Sequence, residues 1–167
     1  MGPTDVRTAS EGVNMTDMDR HDTLQPTKPQ EFEFGGLRFE VAFRGNAGAT
    51  LRVDGRVDGE WKEMLCFDDF VDLPHYHAPA SADQINFDRA ANGEPLQWYM
   101  TQIRDELPEW LRKAGFADVI PTIDMDAVVA NLPEVSHAME TCIPESFVRV
   151  PGVGLQRRTA AAVNQES

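Results

Sequence analysis

At 167 residues the chain fits one ordinary domain, large enough to bury a core of its own. Hydrophobic residues make up 41% and charged residues 26%, a globular composition that argues against a membrane-embedded or wholly disordered chain. The formal net charge of −13 repels phosphate backbones, so no nucleic-acid partner is expected.

Residues 1–30 are polar, rich in Asp and Thr, and too poor in apolar side chains to offset the entropy of ordering. They read as a disordered tail, within which Met15 and Met18 offer alternative starts to Met1. His21 lies in this tail and is set aside. No apolar run resembles a signal peptide or reaches the length of a membrane span, so no membrane association is expected and the expected location is the cytoplasm.

The folded unit is assigned to residues 31–150. Leu37, Phe39, Val41 and Phe43 alternate with polar or small neighbours in the period of a half-buried strand, preceded by a turn at Gly35-Gly36. A second strand runs from Thr50 to Val57, and Asp58-Gly59 signals a two-residue hairpin turn, with Asp54-Gly55 as an alternative. The partner strand runs to about Phe67, and another short strand is predicted around Ile85 to Asp88. Pro95 suits the first turn of a helix, and Leu96, Met100, Ile103 and Leu107 follow at helical spacing. Pro108 predicts a kink or a break into a short helix ending at Gly115. Asp124 or Asp126 can cap a third helix, and Pro133 can open a fourth ending near Cys142. The order predicts an α+β fold: an antiparallel β-meander of four to five strands followed by a C-terminal layer of three to four short helices. Residues 151–167, beginning near Gly152, read as a flexible tail.

Cys66 falls in an apolar strand pattern and Cys142 near a helix end, and neither forms a Cys-x-x-Cys pair. Two buried, reduced thiols are the simpler expectation, though spacing alone leaves a disulfide open.

The chemistry-bearing stretch is Phe67-Asp68-Asp69-Phe70-Val71-Asp72-Leu73-Pro74-His75-Tyr76-His77-Ala78-Pro79. Imidazole is the commonest transition-metal ligand and titrates near neutral pH. In an extended segment His75 and His77 point to one side with Cα atoms roughly 6.5–7 Å apart, close enough to share an ion. The metal set drawn from this stretch is His75, His77 and Asp72, with Asp68 or Asp69 as further oxygen donors, and zinc or iron as the ion. A ligand-binding set without metal comprises Asp68, Asp69, His75, Tyr76 and His77, with Trp61, Trp98 and Trp110 as lining aromatics. Barrels of the cupin type carry a glutamate soon after His-x-His and a later strand histidine. This chain has neither, since His137 falls in a helical segment and reads as solvent-facing. The bland alternative is that the histidines only hydrogen-bond backbone carbonyls or Asp68 and order a connection.

The run Leu65-Cys66-Phe67-Asp68-Asp69-Phe70 followed by Pro74-His75-Tyr76-His77-Ala78-Pro79 resembles a family of small bacterial proteins of unknown function that carry a Phe-Asp-x-Phe stretch leading into Pro-His-Tyr-His-x-Pro. The resemblance spans about Leu37 to Cys142 and implies a folded domain with this motif as its hallmark. It implies no activity. A fainter similarity to small toxins of toxin–antitoxin pairs is not matched residue by residue and transfers no site.

The leading expectation is a non-catalytic accessory subunit or binding domain for a larger protein partner or a small-molecule ligand, with a homodimer left open. The alternatives are a metal-dependent enzyme using His75 and His77, and a toxin-like nuclease, which the net charge disfavours.

Overall fold

The structure, a computed structural model, describes residues 26–45, 47–79 and 82–158. Residues 1–25 of the predicted tail, with Met15, Met18 and His21, lie outside the described residues, as does the C-terminal stretch 159–167.

Six strands form one antiparallel sheet in chain order: β1 (Gln30–Phe34), β2 (Leu37–Phe43), β3 (Gly48–Val57), β4 (Glu60–Phe70), β5 (His75–His77) and β6 (Ile85–Asn86). The predicted meander is present. It has more strands than expected because the chain before Gly35-Gly36 pairs with β2 and His75–His77 is itself a strand, paired with both β4 and β6. The β3–β4 hairpin turns at Asp58-Gly59, with φ of 52° and 84°, the doubly positive pair of a type I′ turn. Asp54-Gly55, the alternative turn, lies inside β3.

Helices then cover one face: α1 (Arg89–Asn92), α2 (Pro95–Lys113), a 3-10 helix (Ala117–Thr122) and α3 (Met125–Thr141). Phe39, Val41, Phe43, Leu51, Val53, Leu65 and Phe67 from the sheet form the core with Leu96, Tyr99, Ile103, Leu107 and Leu111 from α2 and Val128, Leu132, Val135 and Met139 from α3. Neither helix breaks at its proline: of the kink or break expected at Pro108 the break is excluded, and Pro133 lies inside α3 and opens no fourth helix. An interior proline costs about 3 kcal/mol, whereas each fully buried Leu contributes about 1.5–3 kcal/mol. Leu107 and Leu111 are buried on either side of Pro108, and Leu132 and Val135 on either side of Pro133, so continuing the apolar stripe outweighs the break. Asp124 caps α3 by accepting from Ala127 N at 3.0 Å, and Glu94 caps α2 by accepting from Gln97 N at 2.8 Å. No helix among the described residues is long and apolar enough to cross a membrane.

The chain after Gly152, read above as a loose tail, departs from that expectation at residues 154–157. Phe147–Val150 (β7) and Gly154–Arg157 (β8) form a second antiparallel hairpin. Leu155 is fully buried, and Phe147 meets the Phe43 ring edge-on with centroids 5.3 Å apart. Two buried apolar anchors are enough to fix a short hairpin whose sequence carries little strand signal.

Candidate metal centre

Strand alternation divides the motif between the two faces of the sheet. Phe67, Asp69 and Tyr76 point toward the helices. Cys66, Asp68, His75 and His77 point away from them. In the β4–β5 ladder Cys66 stands opposite His77 and Asp68 opposite His75, so these four residues occupy the corners of one patch.

Asp68 and His75 are buried, with 6% and 7% exposure, while the edge of His77 reaches solvent. Asp68 Oδ2 lies 3.2 Å from His75 Nε2 and 3.6 Å from His77 Nε2. The other Asp68 oxygen, Oδ1, accepts from Thr50 Oγ1 at 2.7 Å. His75 Nδ1 is 2.8 Å from Leu73 O, and His77 Nδ1 is 3.0 Å from Ala82 O. A carbonyl oxygen only accepts, so both Nδ1 atoms carry a proton. In the neutral tautomer, Nε2 of each ring then presents a lone pair toward Asp68 Oδ2. Phe70 meets the His75 ring edge-on at 5.2 Å, and the two imidazoles stand at 80° to each other with centroids 5.1 Å apart.

Two lone pairs and a carboxylate oxygen facing one another repel unless a proton or a cation sits between them. Ligand atoms of Asp68, His75 and His77 all lie within 4.8 Å of one another, the only such group of three or more His, Cys, Asp or Glu among the described residues. In a tetrahedral zinc site, nitrogen and oxygen ligands stand roughly 3.3–3.5 Å apart, given bond lengths of about 2.0–2.2 Å. The observed 3.2 and 3.6 Å bracket that range. Nδ1–H bonds to backbone carbonyls are the usual means of orienting metal-bound imidazoles. The donor set therefore fits zinc or iron.

Tyr99 braces the strands from the opposite side. Its hydroxyl, fully buried, stands 3.4 Å from Asp68 O and 3.3 Å from His75 O. Burial pushes this phenol far up, reinforced by the negative charge of Asp69 and Asp68. Burial likewise pushes the Cys66 thiol up, followed by the charge of Asp68, whose oxygens lie 3.7 and 3.8 Å from its Sγ.

The other sequence candidates go elsewhere. Asp72 lies exposed in the bend after β4 and is not in the three-residue group; Asp68 is the carboxylate that meets the histidines. Asp69 is fully buried beneath the helices, bonded to Arg149 Nη2 of β7 at 2.6 Å, and the same guanidinium reaches Glu94. Tyr76 packs into an aromatic cluster with Trp98 and Trp110, at 5.5 and 5.2 Å, behind the site. Trp61 is remote from it, with the guanidinium groups of Arg38 and Arg56 over its ring at 5.2 and 4.2 Å. His137 is exposed on α3, and both cysteines are free and buried. Thr50, Cys66 and Tyr99 were missed as site residues because each reads in sequence as an ordinary strand or helix position.

Fold and site together define an α+β domain: a β-meander backed by helices on one face, with a carboxylate and two imidazoles converging on the other. The chain belongs to the family described as Domain of unknown function (DUF7700), whose model matches residues 31–139. No curated protein and no solved structure matches the chain.

Proposed function

We propose that this domain binds a divalent transition metal, zinc or iron, through Asp68 Oδ2 and Nε2 of His75 and His77, and that it works as a binding domain, not as an enzyme. The observation that carries the reading is the pair of Nδ1 contacts to Leu73 O and Ala82 O, which leave both Nε2 lone pairs facing the same carboxylate oxygen. A non-catalytic role is supported by the burial of Asp68 and His75. The cavity of about 500 Å³ bordered by Glu94, Gln97, Ser136 and Arg149 also belongs to the helical side and is not lined by the three ligands.

An ion held here ties β4 to β5, and its binding free energy adds to folding. Elemental analysis of protein purified without a polyhistidine tag tests the proposal. Near-stoichiometric zinc or iron, lost in the His75→Ala/His77→Ala double variant, is expected. Substoichiometric metal that the double variant leaves unchanged overturns it.

A further inference from the structure

The three-residue set leaves a tetrahedral ion one ligand short, and the fourth corner of the β4–β5 patch is a cysteine. Cys66 stands opposite His77 in the ladder and two residues before Asp68, so all four side chains leave the sheet on the same face. Its Sγ lies 3.7 and 3.8 Å from the two Asp68 oxygens. A tetrahedral ion about 2.3 Å from sulfur and about 2.0–2.2 Å from oxygen separates the two by roughly 3.5–3.7 Å, nearly the spacing present. Cys66 stands outside the group whose ligand atoms are mutually within 4.8 Å. Closing the shell therefore requires its Sγ to approach the imidazole nitrogens more closely than it does here.

Resting on the metal-binding reading above, we infer that Cys66 is the fourth ligand, so that the site is a closed Asp-Cys-His-His shell of the structural zinc type and not an open facial triad. Thiolate selects zinc over the harder cations that carboxylate and water suit, and a filled fourth position leaves no place for substrate or activated water. The thiol proton is released to solvent as the metal–sulfur bond forms. Thr50, by holding Asp68 Oδ1, keeps the carboxylate monodentate toward the ion and leaves room for sulfur.

Cobalt(II) substituted into the full chain, stripped of resident metal, reports this directly. The expected result is one equivalent of cobalt bound with the intense visible bands of tetrahedral geometry and a near-ultraviolet thiolate-to-cobalt charge-transfer band. That band should be lost in Cys66→Ser and retained in Cys142→Ser. Cobalt bound with weak visible bands and no charge-transfer band in the wild-type chain overturns the assignment of Cys66 while leaving the three-ligand site standing. A charge-transfer band that persists in Cys66→Ser also overturns it. Failure to bind cobalt at all overturns the metal-binding reading itself. Because the wild-type spectrum decides the first and last of these cases, and loss of the band in Cys142→Ser would also overturn the assignment, a Cys66→Ser variant that folds poorly does not shield the inference.

Discussion

Thr50 Oγ1 donates to Asp68 Oδ1 at 2.7 Å across the β3–β4 ladder, and both side chains are buried. That bond fixes which carboxylate oxygen is left for the histidines. Thr50→Val keeps the shape and deletes the donor, leaving Oδ1 only the weak thiol contact of Cys66 at 3.8 Å, at a cost of about 1–3 kcal/mol. Urea unfolding should show that loss, and competitive metal titration should show affinity weakened by about 10–100-fold. Unchanged affinity would mean that Thr50 does not orient the ligand.

Tyr99 reaches the backbone of two ligand residues through one hydroxyl. Its contacts of 3.3 and 3.4 Å are long, so Tyr99→Phe should cost only about 0.5–1.5 kcal/mol. The ring packs on Phe67 at 4.9 Å and fills the core, so Tyr99→Ala should cost about 3–5 kcal/mol. Equal losses from the two variants in chemical denaturation would contradict this division between hydroxyl and ring.

Arg149 joins Asp69 to Glu94 beneath the helices. Its burial favours the neutral form, yet Asp69 and Glu94 overcome that and hold the guanidinium above its ordinary value. Arg149→Met should therefore cost about 3–5 kcal/mol, since it strands two largely buried carboxylates. Burial pushes Asp69 above its ordinary 3.8, and Arg149 reverses only part of the rise. The native state then holds a proton on Asp69 after the unfolded chain has released it. This contribution to stability is full below the ordinary carboxylate value and is lost as pH rises through the raised one. The stability of wild type relative to Asp69→Asn should fall over that window in denaturation at stepped pH. A rise would reverse the sign assigned here.

Two turn glycines should respond differently to alanine. Gly59, at φ 84°, has nothing within 4 Å of an added Cβ, so Gly59→Ala costs only the left-handed backbone strain of about 1–2 kcal/mol. Gly35, at φ 58°, would set a Cβ 2.6 Å from both Asp124 O and Val128 Cγ2. Overpacking adds roughly 1–3 kcal/mol there, because the turn seats on the start of α3. Thermal or urea melts of the two variants should rank them in that order.

The Cys142 thiol is pushed up to about 11 by burial, which Arg149 opposes and Asp69 reinforces. Its contribution to stability is present below the ordinary thiol value of 9.0 and is lost as pH rises from there through about 11. Cys142→Ser should flatten that alkaline decline. In the native protein at pH 8 the thiol should resist disulfide-exchange reagents and react only on unfolding; rapid native labelling would count against its burial.

Much of the fold is legible in local signals. The Asp58-Gly59 turn, the alternation from Leu37 to Phe43 and the stripe through Leu96, Ile103 and Leu107 are short-range patterns, and the elements form where they predict. The prolines mislead because their cost is local whereas the burial that outweighs it comes from other elements. The β7–β8 hairpin is invisible because its anchors, Phe147 and Leu155, gain their energy only from the core they meet.

The composition of the site belongs to the sequence: His75-Tyr76-His77 between two prolines fixes two imidazoles on one face and a tyrosine on the other, as strand alternation requires. Which residues join them was settled by one irregularity in the tertiary structure. The register set by Val57 opposite Glu60 holds to Asp54 opposite Glu63, then shifts so that Val53 faces Leu65 and Met64 is left over as a bulge. Carried on without the bulge, that register would put Asp68 opposite Ala49 and Cys66 opposite Leu51, both core positions beneath the helices. The extra residue reverses the faces of β4 beyond it, because strand side chains alternate with a period of two. Asp68 thus turns to Thr50, His75 and His77, and Asp69 turns inward to Arg149.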